Sequence, residues 1–439
     1  MEQRRKNLTQ LFIPICLETL LYMLSGMVDT LMLSSVNDQA VGAVGTANTY
    51  IGIFIIMFSV ISSGMVAVMT QNIGAGRPGV AYQARQLGLV FNAALGVIMS
   101  LFLSLGAGTI LSGVGVADAL MQPAKTYLQI VGGFCILNAL IPICSSYLRA
   151  FGFSKEPLYA SIIGNVINFC LNAFFLFVLH KGVAGVATAT VISRIINLVI
   201  VVLLGAVLVK AKQHPERESN RAVMGQIIRI GLPSACETAI YNVSMTLVIR
   251  FLNQMDAQGL NVTARSYTMQ ITNFSYCVGA ALAQANAIMT GWHIGAKEYD
   301  ACDRGTKKAA VIGVIVAVIL ETVFTLCSGW IMQLFSKDPQ MVSLVGKLLA
   351  IDIVLEIGRV TNLVYGQALK TSGDAVFPVV MGACFMILCS VGGTYLFGIR
   401  LGLLAVGAYI GMTGDECVRA VGMYLRWKSG KWKNKGLVD

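Results

Sequence analysis

Charge is scarce in this chain: 12% of its 439 residues are Asp, Glu, Lys or Arg, while 56% are hydrophobic. A water-soluble fold of that length cannot keep so much apolar surface from solvent, so the balance excludes a soluble globular protein and implies repeated membrane crossings. Histidine is scarcer still: His180, His214 and His293 lie in or beside loops and form no ligand spacing. The eleven cysteines include no CxxC pair, and all but Cys302 fall in apolar stretches. They read as small packing residues, and neither a metal centre nor a disulfide framework is expected. No GxxxxGK[ST] sequence is present, which leaves ATP-driven pumping unsupported, and no convergent nucleophile or acid–base set suggests an enzyme. No cofactor is expected.

What is there is a succession of long apolar runs. A helical crossing takes about 20 residues, because hydrocarbon offers the backbone no water to bond. Twelve runs fit, at 9–33, 45–72, 86–112, 126–149, 156–180, 186–210, 229–253, 264–291, 307–333, 343–370, 375–398 and 402–426. Basic residues orient them, since short cytoplasmic loops retain Lys and Arg. With the N-terminus inside, 22 of the 32 basic residues fall in cytoplasmic segments, among them Arg4-Arg5-Lys6, the 210–229 stretch and the tail RWKSGKWKNK. Both termini are therefore expected in the cytoplasm, and the first helix is expected to serve as the insertion signal. The net charge of +11 reads as topology rather than as a nucleic-acid surface.

The chain also repeats itself. IPICLETLLYMLS at 13–25 matches LPSACETAIYNVS at 232–244, superposing Pro14 on Pro233, Glu18 on Glu237, Tyr22 on Tyr241 and Ser25 on Ser244. IGA at 73 recurs at 294, LRAFGFSKEP at 148–157 answers LKTSGDAVFP at 369–378, and GVAGVATA at 182 answers GLLAVGAY at 402. Six helices per copy give two parallel repeats. The expected organisation is a lobe over 1–209, a polar cytoplasmic linker over 210–223, and a second lobe over 224–439 that ends in the basic tail.

Charges in hydrocarbon are expensive, so those that occur mark a protein interior or a watery cavity. Glu18, Tyr22, Ser25 and Asp29 are spaced 4, 3 and 4 and share one helical stripe; Glu237, Tyr241 and Ser244 draw the same stripe in the second copy. Such a stripe is either a polar seam gluing helices together or a site for a cation or proton, with Asp29 favoured over Glu18. Asn165, Asn168 and Asn172 share a face in the fifth helix and could be glue or could supply amide groups to Asp29. In the second copy Asp352, Glu356, Arg359 and Asn362 follow one face, and Asp415, Glu416 and Arg419 lie on the last helix. Arg359 demands an acid, with Glu356, Asp415 and Glu416 the available partners. Whether this cluster is a static brace or takes part in coupling or substrate binding stays open here, as does the role of Glu321.

In the order VDTLMLS, TQNIGAGR, LRAFGFSKEP, NFCLN and LKTSGDAVFP, these segments make the chain resemble the multidrug and toxic compound extrusion (MATE) family over nearly its whole length. The resemblance implies an all-α polytopic membrane protein with twelve transmembrane helices in two pseudo-symmetric six-helix lobes, set as a V around a cavity. It also implies a monomeric antiporter of the inner (plasma) membrane that exports small cationic or amphipathic molecules in exchange for H⁺ or Na⁺. Asp29 matches the family's helix 1 aspartate, where Na⁺ could bind, and Asn168 its helix 5 asparagine. Asn172 stands where many members carry Asp, and Thr190 matches a helix 6 threonine near the same site. The second copy departs from the sodium-type pattern: Arg359 falls where those members carry an acid, and Glu237 lies a turn nearer the proline than their helix 7 glutamate. Glu18, Tyr22, Glu237, Tyr241 and the acidic cluster are thus candidates for substrate binding or gating. A flippase for lipid-linked oligosaccharide or a related precursor is the alternative function within the same superfamily.

Overall fold

The computed structural model describes residues 6–34, 38–113, 116, 118–210, 215–256, 258–333 and 335–438, and among these the regular structure is helical throughout. Arg4, Arg5 and residues 211–214 of the linker, which include Lys212 and His214, lie outside the described residues. The chain divides into two compact units, Met1–Gly231 and Leu232–Asp439.

The first unit holds α1 (Leu8–Ser34), α2 (Asp38–Gly74), α3 (Pro78–Gly113), α4 (Asp118–Tyr127), α5 (Ile136–Ala150), α6 (Lys155–Ala173) and α7 (Gly182–Leu208), with α8 (Asn220–Met255) beginning in it. The run read as a fourth crossing is two pieces. A π-helical stretch, Leu128–Gly132, continues α4, and this rod meets α5 at 43°. The break frees backbone groups that hydrocarbon could not satisfy, and the Ile136 N–H finds the Ser100 hydroxyl of α3 at 3.1 Å. Asn92 of α3 is fully buried and donates to carbonyls on both sides, Phe58 of α2 at 3.3 Å and Ala139 of α5 at 3.1 Å, tying three helices together. The core of this unit includes Leu33, Phe58, Leu103, Leu128, Val131 and Leu176.

The second unit contains α9 (Leu260–Gly295), α10 (Tyr299–Leu326), the short α11 (Ser328–Met332), α12 (Pro339–Thr371), α13 (Val376–Phe385) and α14 (Leu404–Lys428), around a core that includes Val248, Leu252, Leu348, Leu355 and Tyr409. π-helical turns prolong α13 through Met386–Val391 and Thr394–Arg400, as Phe174–Val178 prolongs α6 in the first unit. The basic tail is folded: Trp432 stacks on Trp427 with ring centroids 4.1 Å apart, and the Lys435 ammonium lies 2.7 Å from Asp374.

Among the described residues, seven helices are long and apolar enough to cross a bilayer, and the bent α4–α5 pair makes eight. The remaining crossings are carried by α8, α9, α12 and α14, which are 36, 36, 33 and 25 residues long. Polar groups such as Glu237, Arg265, Asp352, Glu356, Asp415 and Arg419 dilute their apolarity. Tolerance of such groups depends on where they point, and most of these are buried within the bundle.

Close approach of backbones marks one helix contact. A Cβ on Gly231 of α8 would overlap the Val60 carbonyl of α2, and a Cβ on Gly64 of α2 would overlap the Ile227 carbonyl of α8. In lipid, where apolar burial gives no drive to associate, such small-residue contacts are what packs helices.

Candidate functional site

In the first unit α1 packs against α6, which lies beside α7. The Asn172 amide donates 2.6 Å to the Asp29 carboxylate and 3.2 Å to the Asn168 carbonyl, so the i,i+4 spacing on α6 becomes a chain of bonds ending at the acid. Asn172 is fully buried, and its own carbonyl oxygen has no hydrogen-bond partner. Thr190 is buried on α7, but its hydroxyl donates to the Val186 carbonyl one turn back at 2.9 Å, the ordinary use of a threonine inside a helix. One turn further, Arg194 is close enough for its charge to act on Asp29. Its place four residues after Thr190 was the sequence signal for this proximity. Tyr22 is 68% exposed and is not gathered into the group.

Glu18 and Glu237 are held elsewhere, and in the same way. Arg149 at the end of α5 bonds Glu18 at 2.6 Å, and Lys370 at the end of α12 meets Glu237 at 2.6 Å. Repeat-related acids are thus pinned by basic residues 131 and 133 positions further along the chain, from the last turns of two helices. Tyr241 is half-buried, one turn along α8 from Glu237.

The second unit gathers more charge. Arg419 of α14 grips Asp415 with two nitrogens at 2.8 and 3.0 Å and reaches Glu416 at 2.9 Å. Asn362 of α12 donates to Glu416 at 3.0 Å, and Ser390 donates to Asp415 at 3.0 Å. Arg359 bonds Glu356 on its own helix, with its Nε 3.7 Å from Glu416. Of the three acids the sequence offered Arg359, the structure assigns it Glu356 and, more loosely, Glu416. Glu321 of α10, for which the sequence indicated no partner, is carried to Asp352 and Glu356: ligand oxygens of the three acids lie within 4.8 Å of one another. Its isolation in an apolar run was a signal that it faces protein, but the periodicity of α10 alone does not name the acids it meets.

Long helices in two repeated units, with charged groups buried among them, describe a multi-pass transporter. The model of the MatE family matches residues 14–174 and 233–396, one segment in each unit, and the chain belongs to that family. It is 34% identical over 431 residues to an "uncharacterized transporter YisQ" of Bacillus subtilis, spanning 97% of this chain and 94% of that one. It is 23% identical over 446 residues to a "probable multidrug resistance protein NorM" of Thermotoga maritima, spanning 99% and 94%. A crystal structure described as MATE in the bent conformation superposes with a TM-score of 0.88 at 18% identity, over 97% of this chain and 96% of that one. That likeness carries the fold. Members of the family are transporters rather than enzymes.

Proposed function

We propose that the chain is a secondary antiporter of the plasma membrane that exports small cationic or amphipathic organic molecules in exchange for H⁺ or Na⁺. In this reading both termini are cytoplasmic and the protein works as a monomer. The observation that carries it is the Asp29–Asn172–Asn168 chain of bonds, at 2.6 and 3.2 Å, with a vacant acceptor on Asn172 beside the acid. A carboxylate set among helices is costly unless compensated, so a small cation arriving there gains much and alters the packing of α1 against α6. An amide orients the carboxylate and, through its carbonyl, offers a further oxygen to a proton donor or a metal ion. The other acids of the first unit are poorer candidates, since Glu18 already has Arg149. The name of the Thermotoga relative supports drug-like substrates, and the orientation rests on the distribution of Lys and Arg.

The test is efflux from proteoliposomes under separately imposed H⁺ and Na⁺ gradients, with wild type and Asp29→Asn compared. Gradient-driven efflux that disappears in the variant supports the reading, and the gradient that drives the wild type identifies the ion. Undiminished efflux in Asp29→Asn would remove Asp29 from the mechanism, and movement of a labelled lipid-linked precursor without drug efflux would favour a flippase.

A further inference from the structure

We propose that Glu321, Asp352 and Glu356, together with the Ser275 hydroxyl, form a site in the second unit for a hard, oxygen-ligated metal cation of sodium or calcium size. Three helices build it. Ser275 comes from α9, Glu321 from α10, and Asp352 and Glu356 from α12, where the i,i+4 spacing puts both acids on one face. These helices pack on one another in the second unit.

Two independent observations point to a ligand rather than to a chance gathering of acids. The first is distance: ligand oxygens of the three acids lie within 4.8 Å of one another. Oxygens on one ion lie no further apart than twice the bond length, so carboxylates gathered this closely can all reach a single ion at about 2.3–2.6 Å, whereas magnesium keeps several of its waters and is seldom held by an all-protein cage. The second is the absence of partners. Glu321 is fully buried, yet neither of its carboxylate oxygens has a hydrogen-bond partner, and Asp352 Oδ2 and Glu356 Oε2 are likewise without one. The Ser275 hydroxyl, 1% exposed, stands beside Glu321 and has no partner within hydrogen-bond distance. These five oxygens have no partner at hydrogen-bond distance, whereas the buried carboxylates of Asp374, Asp415 and Glu416 are bonded.

The charge inventory agrees. Glu356 is matched by Arg359, while Asp415 and Glu416 are taken up by Arg419, Asn362 and Ser390. Asp352 and Glu321 form no ion pair among the described residues, and the Arg359 charge, bound to Glu356, acts on both without pairing with either. A buried cation compensates them where solvent cannot. Sodium and calcium share the oxygen chemistry and differ in charge, and the experiment separates them. The site is distinct from the Asp29 group in the other unit, and it does not use Glu237, which Lys370 holds. The inference goes beyond the proposed coupling at Asp29 and does not depend on it.

The test is calorimetric titration of the detergent-purified full-length protein, washed with chelator and held at fixed pH, with Na⁺ and Ca²⁺ added separately and choline and Mg²⁺ as controls. Saturable binding of Na⁺ or Ca²⁺ is expected, lost in Glu321→Gln and in Asp352→Asn, and retained in Asp29→Asn. Ser275→Ala should weaken it by about tenfold, the loss typical when a group that orients a ligand is removed. Gel filtration separates lost binding from lost fold, and Ser275→Ala keeps the test decisive where the acid variants fail to fold. Absence of saturable binding for either ion, equal heats with choline, binding that survives in folded Glu321→Gln, or binding abolished by Asp29→Asn would each overturn the proposal.

Discussion

Arg149 at the end of α5 holds Glu18 of α1 at 2.6 Å, with both side chains mostly buried at 11% and 15% exposure. Breaking a mostly buried pair of this kind by removing one member costs about 3–5 kcal/mol. Glu18→Gln is therefore expected to lower the unfolding temperature in detergent sharply. Arg149→Lys should be milder, because the second unit makes the equivalent bond with Lys370 at the same 2.6 Å. Thermal unfolding followed by gel filtration checks both, and equal losses in the two variants would deny that charge alone is what Glu18 needs.

Asn172 differs from Glu18 in that it serves the group proposed to bind the driving ion. A hydrogen bond to a charged acceptor contributes about 1.5–3 kcal/mol, so Asn172→Leu should shift the ion concentration that half-drives efflux by about ten- to a hundredfold. Thr190→Val should have a much smaller effect, since the Thr190 hydroxyl is spent on the Val186 carbonyl. The measurement is efflux rate against driving-ion concentration in proteoliposomes, and equal shifts in the two variants would contradict this assignment.

Much of this arrangement could be read from spacing alone. The stripe that includes Glu18 and Asp29, the Asn168/Asn172 face and the Asp352-to-Asn362 face are local features of single helices, and 3.6 residues per turn predicts them. The repeat alignment at 13 and 232 even superposed Glu18 on Glu237, although it did not reveal that each has a basic partner. Partners come from tertiary packing: Glu321 meets Asp352 and Glu356 only because α10 lies against α12. Backbone detail was hidden too. IGA at 73 and at 294 looked equivalent, yet the turn that follows uses Gly76 at φ 76° in one unit and Lys297 at φ 59° in the other. A left-handed lysine is strained, and the sequence gives no warning of it.

Asp374, in the loop after α12, predicts a pH dependence. Burial opposes its ionisation, but hydrogen bonds from Arg426 at 2.7 Å and Lys435 at 2.7 Å, with their charges, outweigh it and hold the carboxyl below its ordinary value of 3.8. A depressed folded pKa contributes stability that is fully present above the unfolded value and is lost as pH falls through the folded one. Wild type should thus exceed Asp374→Asn in unfolding temperature at about pH 7, with the gap closing only below about pH 4. Lys435→Ala should reduce the same gap. Melting curves across that range decide it, and a gap that stayed constant down to low pH would mean that Asp374 acts through packing rather than charge.

Glycines in these helices should respond to alanine with opposite signs. At Gly231 and Gly64 an added Cβ meets a backbone carbonyl of the facing helix, and a backbone cannot swing aside as a side chain can. Gly231→Ala is expected to push the part of α8 that lies in the first unit away from α2 and to cost about 1–3 kcal/mol or more, as overpacking does. At Gly26 of α1 nothing lies within 4 Å of the new atom. There alanine adds no clash and removes backbone freedom from the unfolded chain, a gain of up to about 1 kcal/mol. Melting temperatures of the two variants in one detergent give the comparison. A loss at Gly26 as large as that at Gly231 would mean that these glycines are needed for helix flexibility rather than for the close approach of α2 and α8.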